Sequence, residues 1–324
     1  MTARGRLSSG MSRTPLPRLA AALAIGLAGP LPAPAAEEAF PAALVAFGPA
    51  SPEPVFAGGG PDAWDRDLRE RGWIARDGDR WRLWYTGSNR DRDPVRRLGL
   101  ATSRDGLNWT RAADQPLLPD AWVEDVCLAR CRGGLLLFAE GRDDLAHRLV
   151  SRDGLRWRPC GPLDIRRADG RPLEPGPRGT PTVWWERGVW HLFYERGDRG
   201  VWLATSRDLT TFTNVRDDPV IACGPEAYDR HAVACDQIVR HGGRYYAYYH
   251  ASDRPDWSAW CTCIAVSDDL VRWRKYPGNP VLPADPAHPK RSSATLVHDG
   301  RRHRLYTTHP DVRVRFAVEA VSPP

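Results

Sequence analysis

The chain has 324 residues, enough for one large all-β domain or two of ordinary size. Its 42% hydrophobic residues and 14 Trp allow a sizeable core, which argues against a disordered chain. The formal net charge of +6 includes four arginines from residues 1–36, which hold no acidic residue, so the remainder is nearly neutral with interspersed charges and does not indicate nucleic-acid binding.

The N-terminus has the pattern of a secretory signal peptide. Arg13 and Arg18 precede the apolar run LAAALAIGLAG (19–29), and PAPAA (32–36) offers small residues for cleavage. The apolar run is too short for a membrane span, and no later segment could cross a membrane. We therefore expect residues 1–36 to be a signal peptide and residues 37–324 to form a secreted or periplasmic domain; the alternative is an uncleaved tail.

Five hairpin-like units follow along the chain. In each, a short β-rich run leads through a turn that carries Gly into a second run dense in aromatic residues, which is a hairpin signal. The units are GWIARDGDRWRLWYTG (72–87), VEDVCLARCRGGLLLFAEG (123–141), TPTVWWERGVWHLFYERG (180–197), ACDQIVRHGGRYYAYYHAS (234–252) and SATLVHDGRRHRLYTTH (293–309).

One seven-residue phrase closes the third strand after four of these units. It is written SRDGLNW (103–109), SRDGLRW (151–157), SRDLTTF (206–212) and SDDLVRW (267–273). The Asp side chain can accept bonds from nearby backbone N–H groups, the Gly supplies a positive φ, and the aromatic residue can fill the seam between blades. We therefore interpret the phrase as a structural corner and place no catalysis on it.

Four-stranded units that recur roughly every 50 to 60 residues predict propeller blades. The sequence thus predicts an all-β fold, a five-bladed β-propeller with mostly four antiparallel strands per blade. The last unit lacks an outer strand, which LVAFGP (44–49) or EPVFAG (53–58) could supply, so that the two termini close the ring. We expect this domain to be a monomer.

Several phrases resemble one superfamily. RWRLWYTG (80–87), LGLATSRDGLNWTR (98–111), RYYAYYHAS (244–252) and NPVL (279–282) are similar to segments of the five-bladed propeller glycosidases, namely family 43 glycoside hydrolases and their relatives in families 117 and 130. The resemblance covers the whole mature chain. It implies a carbohydrate substrate in a funnel at one end of the propeller axis, with acidic residues at the starts of the innermost strands.

The resemblance places the key residue about eight positions before the Gly of each first hairpin turn. That position is Glu70 in blade 1, Asp125 in blade 2 and Thr180 in blade 3, while blade 4 offers Asp236 two positions later. Glycoside hydrolysis needs one protonated acid and one base or nucleophile, and carboxylates from different blades could meet at the axis. A histidine acid, which relatives in family 117 are thought to use, would suit His231. The missing blade 3 acid departs from family 43.

The second strand of each blade returns to the funnel face, and its end supplies candidate substrate-binding residues. These are Tyr85, Glu140, Glu195 and His250. Glu140 and Glu195 could instead form ordinary ion pairs with Arg142 and Arg196. Two cations at blade starts, Arg178 and Lys290, complete the set of candidates.

Three functional interpretations remain. The first is an exported glycoside hydrolase acting on a plant or algal oligosaccharide; the second is a non-catalytic carbohydrate-binding propeller. The third is a glycoside phosphorylase of the family 130 kind, whose phosphate pocket Arg178, Lys290 and Arg291 could form. No cofactor is expected, and the sequence leaves open both a calcium ion on the axis and whether the seven cysteines form disulfides or serve as small buried hydrophobic residues.

Overall fold

The computed structural model describes residues 40–318, so the expected signal peptide lies outside the described residues. The strands form five separate antiparallel sheets, each built from one of the five predicted hairpin units. This arrangement confirms the five-bladed β-propeller.

Blades 1 and 2 each have four strands in sequential order. Blade 1 consists of β1 (Asp67–Asp77), β2 (Arg80–Asn89), β3 (Asp93–Ser103) and β4 (Trp109–Arg111), and blade 2 of β5 (Glu124–Cys131), β6 (Gly134–Glu140), β7 (Ala146–Ser151) and β8 (Arg158–Pro162).

Blade 3 is the largest sheet, because two short strands join its four-stranded core. It contains β9 (Asp164–Arg166), β10 (Thr182–Glu186), β11 (Val189–Glu195), β12 (Gly200–Ser206), β13 (Thr211–Asn214) and β14 (Ile221–Ala222). Here β9 runs parallel to β13, and β14 pairs with β12.

Blades 4 and 5 complete the ring. Blade 4 consists of β15 (Ala232–His241), β16 (Arg244–Ser252), β17 (Cys261–Ser267) and β18 (Arg274–Lys275), and blade 5 of β19 (Ser292–His298), β20 (His303–His309) and β21 (Arg313–Phe316). The described helices are short: the α-helix Ala42–Val45 and the 3₁₀ helix Ala227–Asp229.

The N-terminal segment closes the ring as predicted. The backbone N–H of Gly48 donates to Phe316 O over 2.9 Å, and further along the N–H of Val55 donates to Val312 O over 2.8 Å. Both segments that the sequence offered therefore lie along the outer edge of blade 5. Because this pairing covers the edge of β21, the fifth sheet has no long open edge there.

The core consists of five apolar clusters, one at each seam between neighbouring blades. Successive side chains of a strand point to opposite faces, so each inner strand contributes to the seams on both sides. For example, Trp84 from blade 1 and Leu137 from blade 2 share one cluster, whereas Leu83 belongs to the seam with blade 5.

The repeated phrase forms the predicted corner. In blade 2, Asp153 Oδ1 accepts from the N–H groups of Leu155 and Arg156, over 2.8 and 2.9 Å, and Trp157 Nε1 donates to Gly154 O over 3.1 Å. The corner also joins the adjacent blade, since Trp84 Nε1 donates to the same Gly154 carbonyl over 3.0 Å. The phrase repeats because four of the five blades make the same turn at the end of their third strand.

All seven cysteines, which lie between Cys127 and Cys263, carry free thiols, and four of them are buried. The four buried cysteines serve as small apolar side chains, the second of the two alternatives. Within residues 40–318, no helix is long and apolar enough to span a membrane.

Candidate active site

A cavity of about 310 Å³ opens at one end of the propeller, where the innermost strands begin. All five blades contribute to its walls. Six carboxylic acids line it: Glu70, Asp125, Glu140, Asp144, Glu195 and Asp198. We call this cavity the funnel.

The funnel concentrates unusual backbone geometry. Eleven non-glycine residues in the described part of the chain have positive φ, and seven of these line the funnel. They are Glu70, Asp125, Asp144, Thr180, Asp198, Trp257 and Ser293. Such conformations raise the free energy by roughly 1–3 kcal/mol each and tend to cluster at functional sites, because a side chain must be aimed in a fixed direction there.

Glu70 occupies a bulge of β1, where the pairing register shifts between Arg69 and Trp73. Its Oε1 accepts from Arg69 Nη2 at 2.8 Å and lies 3.5 Å from Arg96 Nη1, and its Oε2 lies 3.7 Å from His309 Nδ1. Burial opposes ionisation, but the charges of neighbouring groups outweigh it and lower the pKa of Glu70 below its ordinary value. Because burial lowers the pKa of His309 to about 4, the charges that act on Glu70 at neutral pH are mainly those of Arg69 and Arg96. Glu70 is therefore a carboxylate at neutral pH.

Asp125 occupies the matching bulge of β5 and is buried. Its Oδ1 accepts from the backbone N–H of Arg71 over 3.1 Å, so its carboxyl group contacts the peptide that follows Glu70. Burial, reinforced by the negative charge of Glu70, raises the pKa of Asp125 to about 6. The two acids that the sequence predicted for blades 1 and 2 thus lie near each other. The pKa of Glu70 is lowered and the pKa of Asp125 is raised.

Thr180 holds the corresponding place in blade 3, and two glutamates fill the space that an acid there would take. Glu140 Oε2 accepts from the N–H of Thr180 at 2.7 Å, and Glu195 Oε1 accepts from the N–H of Gly179 at 2.9 Å. A Cβ on Gly179 would lie 2.0 Å from the first oxygen and 2.7 Å from the second. Glycine is therefore needed for both carboxyl groups to reach this peptide.

These bonds replace the ion pairs that Arg142 and Arg196 could have formed. Burial, with the charges of Asp125 and Glu195, raises the pKa of Glu140 well above its ordinary value. Burial together with the charge of Asp198 raises the pKa of Glu195 to about 7. The two glutamates can therefore donate as well as accept hydrogen bonds near neutral pH.

Asp236 points away from the funnel opening and is completely buried. Its Oδ1 lies 2.7 Å from His250 Nδ1, and its Oδ2 accepts from the N–H of Ala294 over 3.1 Å. Although burial disfavours the imidazolium ion, the Asp236 carboxylate raises the pKa of His250 to about 9. His250 lines the funnel as a cation. Asp236 does not line the funnel and contacts it only through its bond with His250.

The other predicted residues lie elsewhere. His231 and Lys290 are exposed, Arg178 is half-buried and Tyr85 is buried, and none of the four is among the funnel-lining residues. The Tyr85 hydroxyl donates to Asp65 Oδ2 over 2.8 Å inside the seam between blades 5 and 1. A long residue at the end of a second strand faces either the axis or a seam, and the sequence pattern alone does not distinguish the two.

The lining residues that the sequence analysis missed include Arg96, Asp144, Asp198, Trp257 and Trp260. The two aspartates follow the predicted glutamates in the turns EGRDD (140–144) and ERGD (195–198). The sequence feature that could have identified both aspartates is a second acidic residue within four positions of the strand end. The tryptophans lie in the polar loop RPDWSAW (254–260), where an apolar side chain is conspicuous.

No group of three or more His, Cys, Asp or Glu side chains within residues 40–318 is arranged to hold a metal ion. Glu70, Asp125, Glu140 and Glu195 are instead bound by backbone N–H groups, arginines and a histidine, as described above. The described lining of the funnel combines carboxyl groups of different proton affinities with the Arg96 guanidinium and the His250 imidazolium ion.

No protein-family model matches the chain. Solved structures of carbohydrate-active enzymes are similar in fold. A glycosyl hydrolase from Bacteroides ovatus is 17% identical with a TM-score of 0.63, and the match covers 81% of this chain and 86% of that one. The catalytic domain of a family 62 α-L-arabinofuranosidase from Coprinopsis cinerea is 10% identical with a TM-score of 0.63, covering 86% and 98% of the two chains.

A third similar structure comes from glycoside hydrolase family 130. That family of mannoside phosphorylases contains glycoside hydrolases that target β-1,2 mannosidic linkages in Candida mannan. The third structure is 16% identical with a TM-score of 0.67, and the match covers 86% of this chain and 96% of that one. At these identities the likeness establishes a shared five-bladed fold.

Proposed function

We propose that the protein is a glycoside hydrolase whose proton donor is Asp125 and whose carboxylate partner is Glu70. The observation that carries this proposal is that both acids line the funnel from neighbouring blades, with Asp125 Oδ1 accepting from the N–H that follows Glu70, and their pKa values are shifted in opposite directions. Hydrolysis of a glycosidic bond needs one acid that keeps its proton and one that has lost it. Both lie on bulges with positive φ, which aim side chains that regular strands would point into a seam.

In this mechanism Asp125 donates its proton to the glycosidic oxygen as the bond to the anomeric carbon breaks. The Glu70 carboxylate acts on the opposite side of the sugar, either on a water molecule or on the anomeric carbon itself. Arg69 and Arg96 keep Glu70 ionised. Since Asp125 must be protonated, kcat/KM should fall as the pH rises through about 6.

The remaining lining residues suit a sugar. Glu140, Glu195 and Asp198 offer hydrogen-bond donors and acceptors for hydroxyl groups. Trp257 and Trp260 offer apolar faces for a sugar ring. The Trp260 ring packs edge-on against the His250 ring, with the two ring centroids 4.9 Å apart. A cavity with convergent polar groups and a few aromatic walls is the usual form of a small-ligand site.

The charge of the funnel favours hydrolysis over phosphorolysis. The cations that line it are Arg96 and His250, and these are already paired with carboxylates of Glu70, Glu124 and Asp236, so little positive charge is left for a phosphate ion. The arginine proposed for a phosphate pocket, Arg291, is already bound by Asp285 and Asp311. Water therefore suits the funnel better than phosphate as the second substrate.

Turnover of defined glycans tests this function. The panel should contain plant and algal oligosaccharides together with α-L-arabinofuranosides and β-1,2-mannosides, the linkages named for two of the similar structures. Each is incubated with and without phosphate. We expect phosphate-independent release of sugar; strictly phosphate-dependent turnover would identify a phosphorylase, and binding without turnover would identify a binding propeller.

The substitution Asp125→Asn then tests the proton donor. It should lower kcat/KM by about 10²-fold or more, the usual size of lost general acid catalysis, while circular dichroism and the melting temperature stay close to wild type. Asp169→Asn, at an exposed turn away from the funnel, is the matched control and should retain full activity. A folded Asp125→Asn variant with wild-type turnover would remove Asp125 from the mechanism and turn attention to Glu140.

A further inference from the structure

One fully buried arginine lies on the propeller axis. Arg71 follows Glu70 in β1, and its guanidinium group donates to the inner strands of blades 2, 3 and 4. Its Nε donates to Val126 O (3.2 Å), its Nη1 to Thr182 Oγ1 (2.6 Å), Cys235 O (2.6 Å) and Asp236 O (3.1 Å), and its Nη2 to Asp125 O (2.5 Å) and Pro181 O (2.7 Å).

Burying a cation in this way is unusual. Among residues 40–318, no carboxylate forms an ion pair with the Arg71 side chain. A buried charge without a partner is expensive, and here carbonyl dipoles and one hydroxyl replace the lost water. The flat guanidinium group suits this role because its five N–H donors point outward in one plane, toward strands that surround the axis.

The same residue contacts the candidate acids from two sides. The Asp125 carboxyl group accepts from the backbone N–H of Arg71, and the Asp125 carbonyl accepts from its Nη2. Glu70 is the residue immediately before Arg71 in the chain. The Arg71 side chain therefore binds the backbone of Asp125 directly, and Arg71 adjoins Glu70 in the chain, at the bulges where both strands leave their regular pairing.

We propose that Arg71 is a positioning residue for the catalytic pair: its guanidinium group joins the inner strands of four blades at the axis and thereby fixes the bulges that aim Glu70 and Asp125 into the funnel. The role in catalysis rests on the proposed function, whereas the role in fixing the bulges does not.

The charge of Arg71 has a further consequence. Burial and the charge of Glu70 raise the pKa of Asp125, and the positive charge of Arg71 opposes that rise. Removal of the charge should therefore raise the pKa of Asp125 further, by about one unit or more. In the pH profile, the fall in kcat/KM would then move to higher pH by the same amount.

The test compares Arg71→Gln with Arg71→Lys. Arg71→Gln removes the charge and most of the hydrogen-bond donors. Arg71→Lys keeps the charge but has an ammonium group in place of the planar guanidinium group. Arg304→Gln is the control, because Arg304 is a partly buried arginine that pairs with Asp299 at the opposite end of its blade. Three quantities are measured: kcat together with the pH profile of kcat/KM, the ¹³C titration of the Asp125 carboxyl group, and hydrogen exchange at residues 124–127, 180–182 and 235–237.

We expect both Arg71 variants to lower kcat at least tenfold and to speed exchange at those three segments at least tenfold. Arg71→Gln should also raise the pKa of Asp125, and the control should change none of these quantities. If Arg71→Gln does not fold, the exchange and kcat of Arg71→Lys decide. Wild-type exchange and turnover in a folded Arg71→Lys variant would overturn the proposal. If the wild-type protein cleaves no glycan, the proposed function fails, and titration and exchange still test the positioning role.

Discussion

Trp257 lies at the mouth of the funnel with 51% of its surface exposed. Its backbone has a φ of 53°, and its carbonyl accepts from Lys290 Nζ over 2.9 Å. A large apolar side chain that is held in place and left open to water is well suited to stack against a sugar ring. The Lys290 that the sequence placed in substrate binding thus holds the loop that carries Trp257.

We predict that Trp257→Ala raises KM by about tenfold and leaves kcat nearly unchanged, because the lost contact is with bound sugar and not with the reacting atoms. Steady-state kinetics on a glycan found with the panel measures both constants. Trp185→Ala is the matched control, since Trp185 is 57% exposed beside the hairpin turn of blade 3, far from the funnel. Equal effects of the two substitutions would contradict a role for Trp257 in binding.

At the scale of secondary-structure elements, the Asp236–His250 pair joins three strands. Asp236 belongs to β15, His250 to β16, and Ala294, whose N–H the carboxylate also accepts, to β19. The folded protein holds the His250 proton up to a pH of about 9, whereas an unfolded histidine loses it near 6.5. The resulting stabilisation is complete below pH 6.5 and is lost as the pH rises through about 9.

We predict that Asp236→Asn destabilises the protein by about 2 kcal/mol or more at pH 6 and by less at pH 9.5. The amide accepts with one atom only, so it cannot satisfy both the imidazole of His250 and the N–H of Ala294. Urea unfolding at the two pH values measures the difference. Asp143→Asn removes an exposed Asp–His contact of the same kind with His147 and should change little. Equal destabilisation by Asp236→Asn at both pH values would be evidence against the imidazolium.

At the scale of the whole molecule, the ring depends on its N-terminal segment. Phe40 and Leu44 are buried in the cluster between blades 4 and 5, and the Leu44 carbonyl accepts from the Tyr248 hydroxyl over 2.5 Å. The following residues cover the outer edge of β21. This segment therefore contributes both core packing and the last strand pairing of the propeller.

We predict that a chain beginning at Glu37 folds with the melting temperature of the longer chain, whereas one beginning at Gly60 melts at least 10 °C lower or aggregates through the uncovered edge. Differential scanning calorimetry and size-exclusion chromatography measure the two outcomes. Wild-type stability of the shorter chain would show that five blades hold together without this closure.

Local sequence patterns were sufficient to predict the five blades. Each hairpin turn and each corner depends on residues only a few positions apart, such as Asp153 and Trp157, so the pattern can be recognised wherever it recurs. Glu140 could be identified as the end of a second strand, whereas Glu70 and Asp125 were identified from the offset to the turn glycine that the resemblance to propeller glycosidases implies. Their catalytic and binding roles stay predictions.

The meeting of these residues at one axis was decided by the tertiary structure. Arg71 donates to Asp236 O across 165 positions of sequence, and the blade 3 site is filled by Glu140 from its neighbour. Whether a side chain faces the funnel, a seam or the axis depends on a bulge of one residue, since a shift of one position reverses the face. The Asp236 side chain thereby points to His250 and not into the funnel, and no local sequence pattern predicts that orientation.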